Sequence, residues 1–213
     1  MEEMKMELFR DYYLTATEKY EDKTAYRDPE TGECYSYGAF DSYVRRIASK
    51  LCASGLKAGE SCVIAMSHTI GYIAVMHACA LSGIVYVPQA AAYPEERIRT
   101  IQEDANAPIV LRDDFLKDVC SYEPASGFPA LSPDALALII YTSGSTGKPK
   151  GVMHTQLSLA KAIQRWRHIG DFKEEDTYGS NAPFYFVLHM QDCFAAFTCG
   201  ISTVLISDEK RGD

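Results

Sequence analysis

Apolar residues along this chain follow two rhythms, helical stripes and unbroken runs. Between Gly38 and Ser54, Val44, Ile47, Ala48 and Leu51 recur at helical spacing, and Gly55 is placed to stop that helix with a left-handed cap. Cys62–Met66 is apolar without in/out alternation, which predicts a strand buried on both faces of a parallel sheet. Ile70–Leu81 reads as an almost wholly apolar helix ending at Gly83, and Ile84–Val87 as the next strand, closed by Pro88. Pro94 opens a helix with Glu95 and Glu96 at its positive end and Ile98, Ile101 and Ala105 on one face.

The same rhythm continues to the end of the chain. Pro108–Leu111 is a strand and Asp113–Cys120 a short helix, followed by a connector over 121–134 with three prolines and one glycine. Leu136–Tyr141 and Gly151–Thr155 are strand-like. Leu159, Ile163, Trp166 and Ile169 form a helical stripe that Gly170 ends. Thr177–Asn181 and Ile201–Ile206 read as strands around a helix over Met190–Thr198. Upstream, residues 5–20 carry a weakly amphipathic helix, and the short β-prone runs Thr24–Arg27 and Cys34–Tyr37 flank the turn Asp28-Pro-Glu-Thr-Gly32 as a hairpin. Strands alternating with helices predict an α/β fold, doubly wound, with a largely parallel sheet flanked by helices.

Composition narrows the function. With 213 residues, 47% hydrophobic and 23% charged, the chain can build a sizeable core. A formal net charge of -8 argues against nucleic acid or an anionic membrane as partner, so attraction of any anionic ligand must be local. The seven cysteines, in no Cys-x-x-Cys spacing and mostly within apolar segments, read as small buried hydrophobes in a reducing compartment. Met1-Glu-Glu-Met-Lys-Met-Glu7 lacks the basic start and apolar middle of a signal peptide, so a cytoplasmic location is expected. His68, His77, His168 and His189 have no metal-ligand spacing with one another or with cysteines, and no metal ligand is assigned.

One stretch stands outside the packing pattern. Thr142-Ser-Gly-Ser-Thr-Gly-Lys-Pro-Lys-Gly151 holds three glycines, four hydroxyl side chains and two lysines, with no acidic residue. Glycines permit close backbone approach, exposed amides form an anion-binding concavity, and hydroxyls and ammoniums add donors, which together suit a nucleotide phosphate loop. A flexible surface linker is the alternative; the short length and the direct junction to an apolar strand count against it. The Walker pattern fails, because Gly147-Lys148 is followed by Pro149 and the position five before Gly147 is Thr142. A hydrolase nucleophile elbow fails because neither Ser143 nor Ser145 has glycines two residues away on both sides.

Tyr141-Thr-Ser-Gly-Ser-Thr-Gly-Lys-Pro-Lys-Gly-Val152 resembles the signature of the adenylate-forming superfamily of acyl-CoA synthetases, luciferases and nonribosomal peptide synthetase adenylation domains. Tyr35-Ser-Tyr-Gly38 resembles its early strand-to-helix junction, and Leu81-Ser-Gly-Ile-Val-Tyr-Val-Pro88 is similar to its second motif. Tyr93-Pro-Glu-Glu-Arg-Ile98 follows as in the peptide-synthetase branch, and Pro183-Phe-Tyr-Phe186 matches the segment that places an aromatic at the acyl pocket. The resemblance implies the N-terminal part of the adenylate-forming large domain, with 1–134 an N-terminal α/β subdomain and 135–213 the phosphate-loop segment and the start of the acyl-pocket subdomain. It also implies an ATP-dependent acid–thiol ligase. A carboxylic acid attacks the α-phosphate of ATP, and the acyl group passes to the thiol of CoA or of carrier-protein phosphopantetheine. Thr142, Ser143, Gly144, Ser145, Thr146, Gly147 and Lys148 would cradle the β- and γ-phosphates with Lys150 supporting them, Phe186, Val187 and His189 would line the acyl pocket, and Mg2+ is the expected cofactor.

The match has departures. The peptide-synthetase branch usually carries, after the pocket aromatic, an aspartate that pairs an α-ammonium; here that position is Val187, which favours a simple or aryl acid, with Asp192 as a possible substitute partner. Where relatives often carry a histidine after the loop, this chain has Gln156, with His154 two residues earlier. The family's later motifs, including the adenine- and magnesium-binding segments and the C-terminal domain with the catalytic lysine, are not found, so no catalytic residue is assigned and the stretch alone is expected to be inactive. A non-catalytic nucleotide-binding or interaction module is the alternative.

Overall fold

The computed structural model describes residues 7–143 and 148–206. Helix α1 (Phe9–Lys19) leads into the hairpin β1 (Thr24–Arg27) and β2 (Cys34–Ser36). Ser36 then caps α2 (Tyr37–Ala53), its hydroxyl accepting from the Ala39 amide. Next come β3 (Ser61–Met66), α3 (Ile70–Ser82), β4 (Val85–Ala90), α4 (Glu95–Asp104) and β5 (Val110–Leu111). The strands β6 (Leu136–Ser143) and β7 (Pro149–Thr155) precede α5 (Gln156–Gly170), β8 (Thr177–Ser180), α6 (His189–Asp192), α7 (Ala195–Cys199) and β9 (Ser202–Leu205).

The strands divide into two sheets where one was expected. One has the order β5-β3-β4-β6-β7 and the other β2-β1-β9-β8. Parallel pairing dominates both, with β2 and β7 as antiparallel edges. Each sheet draws strands from both sides of position 134, since β6 pairs with β4 and β9 with β1.

The unbroken apolar runs have the cause inferred for them. Cys62, Ile64 and Met66 of β3 join the core shared with the four-stranded sheet, while Val63 and Ala65 join Val85, Val87, Ile98 and Ile101 on the opposite face, under α4. Helix α3 is buried along all of its length up to Leu81 and ends at Gly83 with φ +75, as a helix apolar on every side must be. At its centre His77 is enclosed by the rings of Phe9, Phe40, Phe194 and Phe197, with centroids 4.5–5.6 Å away. Its Nδ1 lies 2.9 Å from the Ile73 carbonyl, which can only accept, so Nδ1 carries the proton of a neutral ring.

Several elements differ from expectation. Pro88 does not close β4, which stays in register with β3 through Ile64↔Pro88 to Met66↔Ala90. The Tyr72 hydroxyl of α3 supplies polar partners at that end, accepting from the Gln89 amide at 2.9 Å and lying 2.9 Å from the carbonyls of Ile64 and Gln89. Ile169 is 61% exposed. Two successive three-residue steps rotate it about 80° off the Leu159 direction. The helix expected over Met190–Thr198 is two short ones, α6 and α7, and Asp113–Cys120 is two 3-10 turns. Cys62, Cys79 and Cys193 are buried as expected, but Cys34, Cys52 and Cys120 are exposed.

Burial pushes the His77 pKa down to about 3 and that of His189 down to about 4. Both folded values lie below the unfolded value, so stability is complete above about pH 6.5 and falls as the unfolded chain takes up protons below it. Each histidine costs about 1.4 kcal/mol per pH unit there, so acidification from pH 7.5 to 5 is predicted to remove about 4 kcal/mol. Urea unfolding at the two pH values measures this, and His77→Leu is expected to remove about half of the slope; equal stability at both pH values would contradict it.

Candidate functional site

Because β3, β4, β5 and β6 run parallel, their carboxyl ends share one edge, which is where open α/β sheets bind ligands. The Gly/Ser/Lys stretch leaves β6 at that edge and returns through β7 in antiparallel register, Tyr141↔Gly151, Thr142↔Lys150 and Ser143↔Pro149. It therefore closes a strand–loop–strand hairpin. Gly144, Ser145, Thr146 and Gly147 lie outside the described residues, and Ser143 is placed by its register alone. Thr142, Lys148 and Lys150 are exposed.

The base of this hairpin is tied down. The Tyr141 hydroxyl donates to Asp104 Oδ2 at 2.5 Å, joining β6 to the end of α4. Burial, with the adjacent Asp104 carboxylate, raises the Tyr141 pKa well above the usual phenol value, so the hydroxyl stays a donor. The Tyr141 ring lies against β7 where a Cβ on Gly151 would stand 2.8 Å from Ile139 Cγ2 and 3.1 Å from Tyr141 Cζ. Glycine is required at 151 by close approach.

Two cavities open at the same edge, and Tyr93 touches a residue of each. The first, about 230 Å³, lies over the ends of β3 and β4 between Ser67, His68, Tyr72, Ala91, Phe184 and Tyr185. His68 stacks on Phe184 at 3.8 Å between centroids and Tyr72 meets the same ring edge-on at 5.1 Å. The second, about 430 Å³, is a cleft between the start of α4 and the hairpin, lined by Pro94, Glu96, Arg97, Thr100, Lys148 and Pro149. Tyr93 packs on Tyr185 of the first cavity at 5.3 Å, and the Arg97 guanidinium of the second sits 4.3 Å from the Tyr93 ring centroid.

A family model described as AMP-binding enzyme matches residues 14–213. The chain belongs to the AMP-binding enzyme family. Among curated AMP-binding relatives it is 29% identical to the L-proline--[L-prolyl-carrier protein] ligase of Pseudomonas fluorescens, covering 95% of this chain and 46% of that protein. With the ligase of the same name from Streptomyces coelicolor the identity is 27%, covering 84% of this chain and 40% of the relative. The chain thus spans less than half the length of these two relatives. Among solved structures it superposes on the N-terminal domain of FACL13 from Mycobacterium tuberculosis with a TM-score of 0.86 at 20% identity, covering 98% of this chain and 58% of that one. The N-terminal subdomain of Klebsiella oxytoca NpsA, in complex with 3-hydroxyanthranilyl-AMSN, gives 0.83 at 22% identity, covering 94% and 53%. Both likenesses establish the fold.

The residues expected to line an acyl pocket in this AMP-binding chain are not grouped by one cavity. Phe186 and Val187 are 54% and 47% exposed and stand outside the walls of the first cavity, whereas their neighbours Phe184 and Tyr185 line it. His189 is fully buried. Its Nδ1 donates to the Phe186 carbonyl at 2.6 Å, which leaves Nε2 to accept from the Tyr86 hydroxyl at 3.0 Å. It pins the aromatic segment to β4. Asp192, weighed as an ammonium partner, accepts from the Tyr178 hydroxyl at 2.7 Å and from the amides of Asn181 and Ala182 at 2.9 and 2.7 Å. Its Oδ2 holds the backbone that leads into Pro183, while Oδ1 takes the Tyr178 hydroxyl.

Sequence reasoning missed Tyr93, Arg97, His68, Tyr72 and Tyr185 as site residues. For the first two a signal existed, since an aromatic and an arginine four apart at a helix start share one face. Among the described residues, no group of His, Cys, Asp and Glu is arranged to hold a metal ion, and no helix is long and apolar enough to cross a membrane.

Gly151→Val is predicted to destabilise the chain by about 1–3 kcal/mol, because the added side chain must displace the Tyr141 ring or Ile139. Urea midpoints of the variant and the parent measure this; an unchanged midpoint would contradict the close approach.

Proposed function

We propose that this chain is the phosphate- and acyl-binding part of an ATP-dependent carboxylate-activating ligase. One observation carries the reading: β6 and β7, which bracket the Thr142–Gly151 stretch, meet it at the carboxyl edge of the five-stranded sheet, beside an aromatic cavity and a cationic cleft. In the proposed reaction a carboxylate oxygen attacks the α-phosphorus of ATP, an acyl-adenylate forms and pyrophosphate leaves. The acyl group then passes to the thiol of CoA or of carrier-protein phosphopantetheine. Thr142, Ser143, Gly144, Ser145, Thr146, Gly147 and Lys148 cradle the β- and γ-phosphates, neutralising charge and aligning the α-phosphorus. Lys150, opposite Thr142 in the hairpin, supports them.

Residues 135–213 supply the phosphate loop and the Phe184–Tyr185 wall of the acyl pocket, and 1–134 the rest of its lining and the strands β3, β4 and β5 beneath. Phe184 and Tyr185 stand in that wall, the exposed Phe186 and Val187 follow it in the chain as candidates for the acyl contact, and His189 positions the segment through the Phe186 carbonyl. Among the described residues, the first cavity has no carboxylate on its walls, which supports an acid without an α-ammonium, simple or aryl. Mg2+ would neutralise the triphosphate when bound; the described residues provide no cluster for it, so no step is assigned to it. A cytoplasmic setting fits free thiols and a soluble acceptor.

Calorimetric titration of ATP and of AMP into the chain tests the phosphate loop. ATP is expected to bind more tightly than AMP, and Lys148→Ala to weaken ATP at least about tenfold while leaving AMP unchanged, the effect of losing one charged hydrogen-bond donor. Equal affinities for ATP and AMP in the parent chain would contradict the reading.

A further inference from the structure

We infer that Arg97 is a second phosphate-contacting cation, acting with Lys148 on the pyrophosphate end of the triphosphate. The inference rests on the reading of the hairpin as a phosphate loop. Arg97 and Lys148 come from different elements, the first turn of α4 and the end of the loop, yet they line one cleft of about 430 Å³. A phosphate chain held by Lys148 is therefore within the cleft that Arg97 lines.

The setting of Arg97 is that of a held side chain. Its guanidinium carbon lies over the Tyr93 ring, 4.3 Å from the centroid, a cation–π contact that restrains the side chain. The Nε is buried and, among the described residues, has no hydrogen-bond partner. A buried guanidinium N–H without an acceptor is costly unless an anion is bound there for part of the cycle. Nearby carboxylates do not cancel the charge. Glu95 pairs with Arg112 at 2.8 Å, and Glu96 alone stands on the cleft wall, leaving two cations against one anion. Helix α4 also presents its positive end here, with Pro94 as N-cap and no side-chain cap hydrogen bond.

Tyr93 gives the arrangement its use. It touches Tyr185 of the acyl-side cavity and also carries Arg97 of the second cleft. An acid seated in the first cavity and a pyrophosphate held in the second have the α-phosphorus between them, so Arg97 fixes the leaving group while the carboxylate approaches.

Titrations of ATP, inorganic pyrophosphate and AMP into the chain, Arg97→Gln and Arg97→Lys test this, with circular dichroism melts confirming that each variant folds. Arg97→Gln is expected to weaken ATP and pyrophosphate about tenfold and AMP by less than about twofold, with Arg97→Lys recovering part of the loss because it restores charge without the fork. Unchanged ATP and pyrophosphate binding in Arg97→Gln overturns the inference while leaving the phosphate-loop reading intact. Equal losses for ATP and AMP also overturn it, since they mark a structural role. A parent chain that prefers neither ATP nor pyrophosphate over AMP overturns both.

Discussion

The site depends on one constraint, the parallel seating of β4 between β3 and β6. Parallel register sends the carboxyl ends of these strands to a single edge, so a cavity over β3 and β4 and a loop leaving β6 become neighbours without any long excursion of the chain. An antiparallel β6 would have put the phosphate loop on the far side of the sheet. The antiparallel return through β7 then turns the loop into a hairpin whose two sides are held by a ladder rather than by a helix N-terminus.

Three tyrosines reach from the core to that edge and carry the positional information. Tyr72 binds the ends of β3 and β4 together, Tyr86 holds His189 and through it the Phe186 carbonyl, and Tyr141 ties the hairpin to α4. Each uses a ring to fill apolar space and a hydroxyl to bond a polar group of a neighbouring element. The buried neutral histidines have a related role. His77 fills an aromatic nest and His189 relays a hydrogen bond, and both remain uncharged because burial penalises the proton.

Much of this was legible before any coordinates. The run Cys62–Met66 announced two-sided burial because every position is apolar, Leu136–Tyr141 announced a strand, and Gly83 marked the helix end, where it takes up a left-handed cap. The division into two sheets was not legible, since strand pairing is a long-range property that periodicity does not encode. Pro88 was read as a strand stop, whereas the Tyr72 hydroxyl serves the end of β4 beyond it. The break between α6 and α7 was hidden by a continuous apolar stretch, in which any phase looks helical. In the site, the loop was readable from composition, whereas the partition at Tyr93 depends on which rings meet across elements and only its Tyr93–Arg97 spacing was visible.

The account's central claim is that nucleotide binds at the carboxyl edge of the five-stranded sheet. Backbone amide chemical shifts, recorded by NMR as ATP is added, test it most directly. The predicted perturbations cluster at Thr142–Gly151, at Tyr93–Thr100 and at Pro183–Val187. Perturbations confined instead to the α1–α5–α7 side, around Tyr12, Lys19 and Arg167, would contradict it.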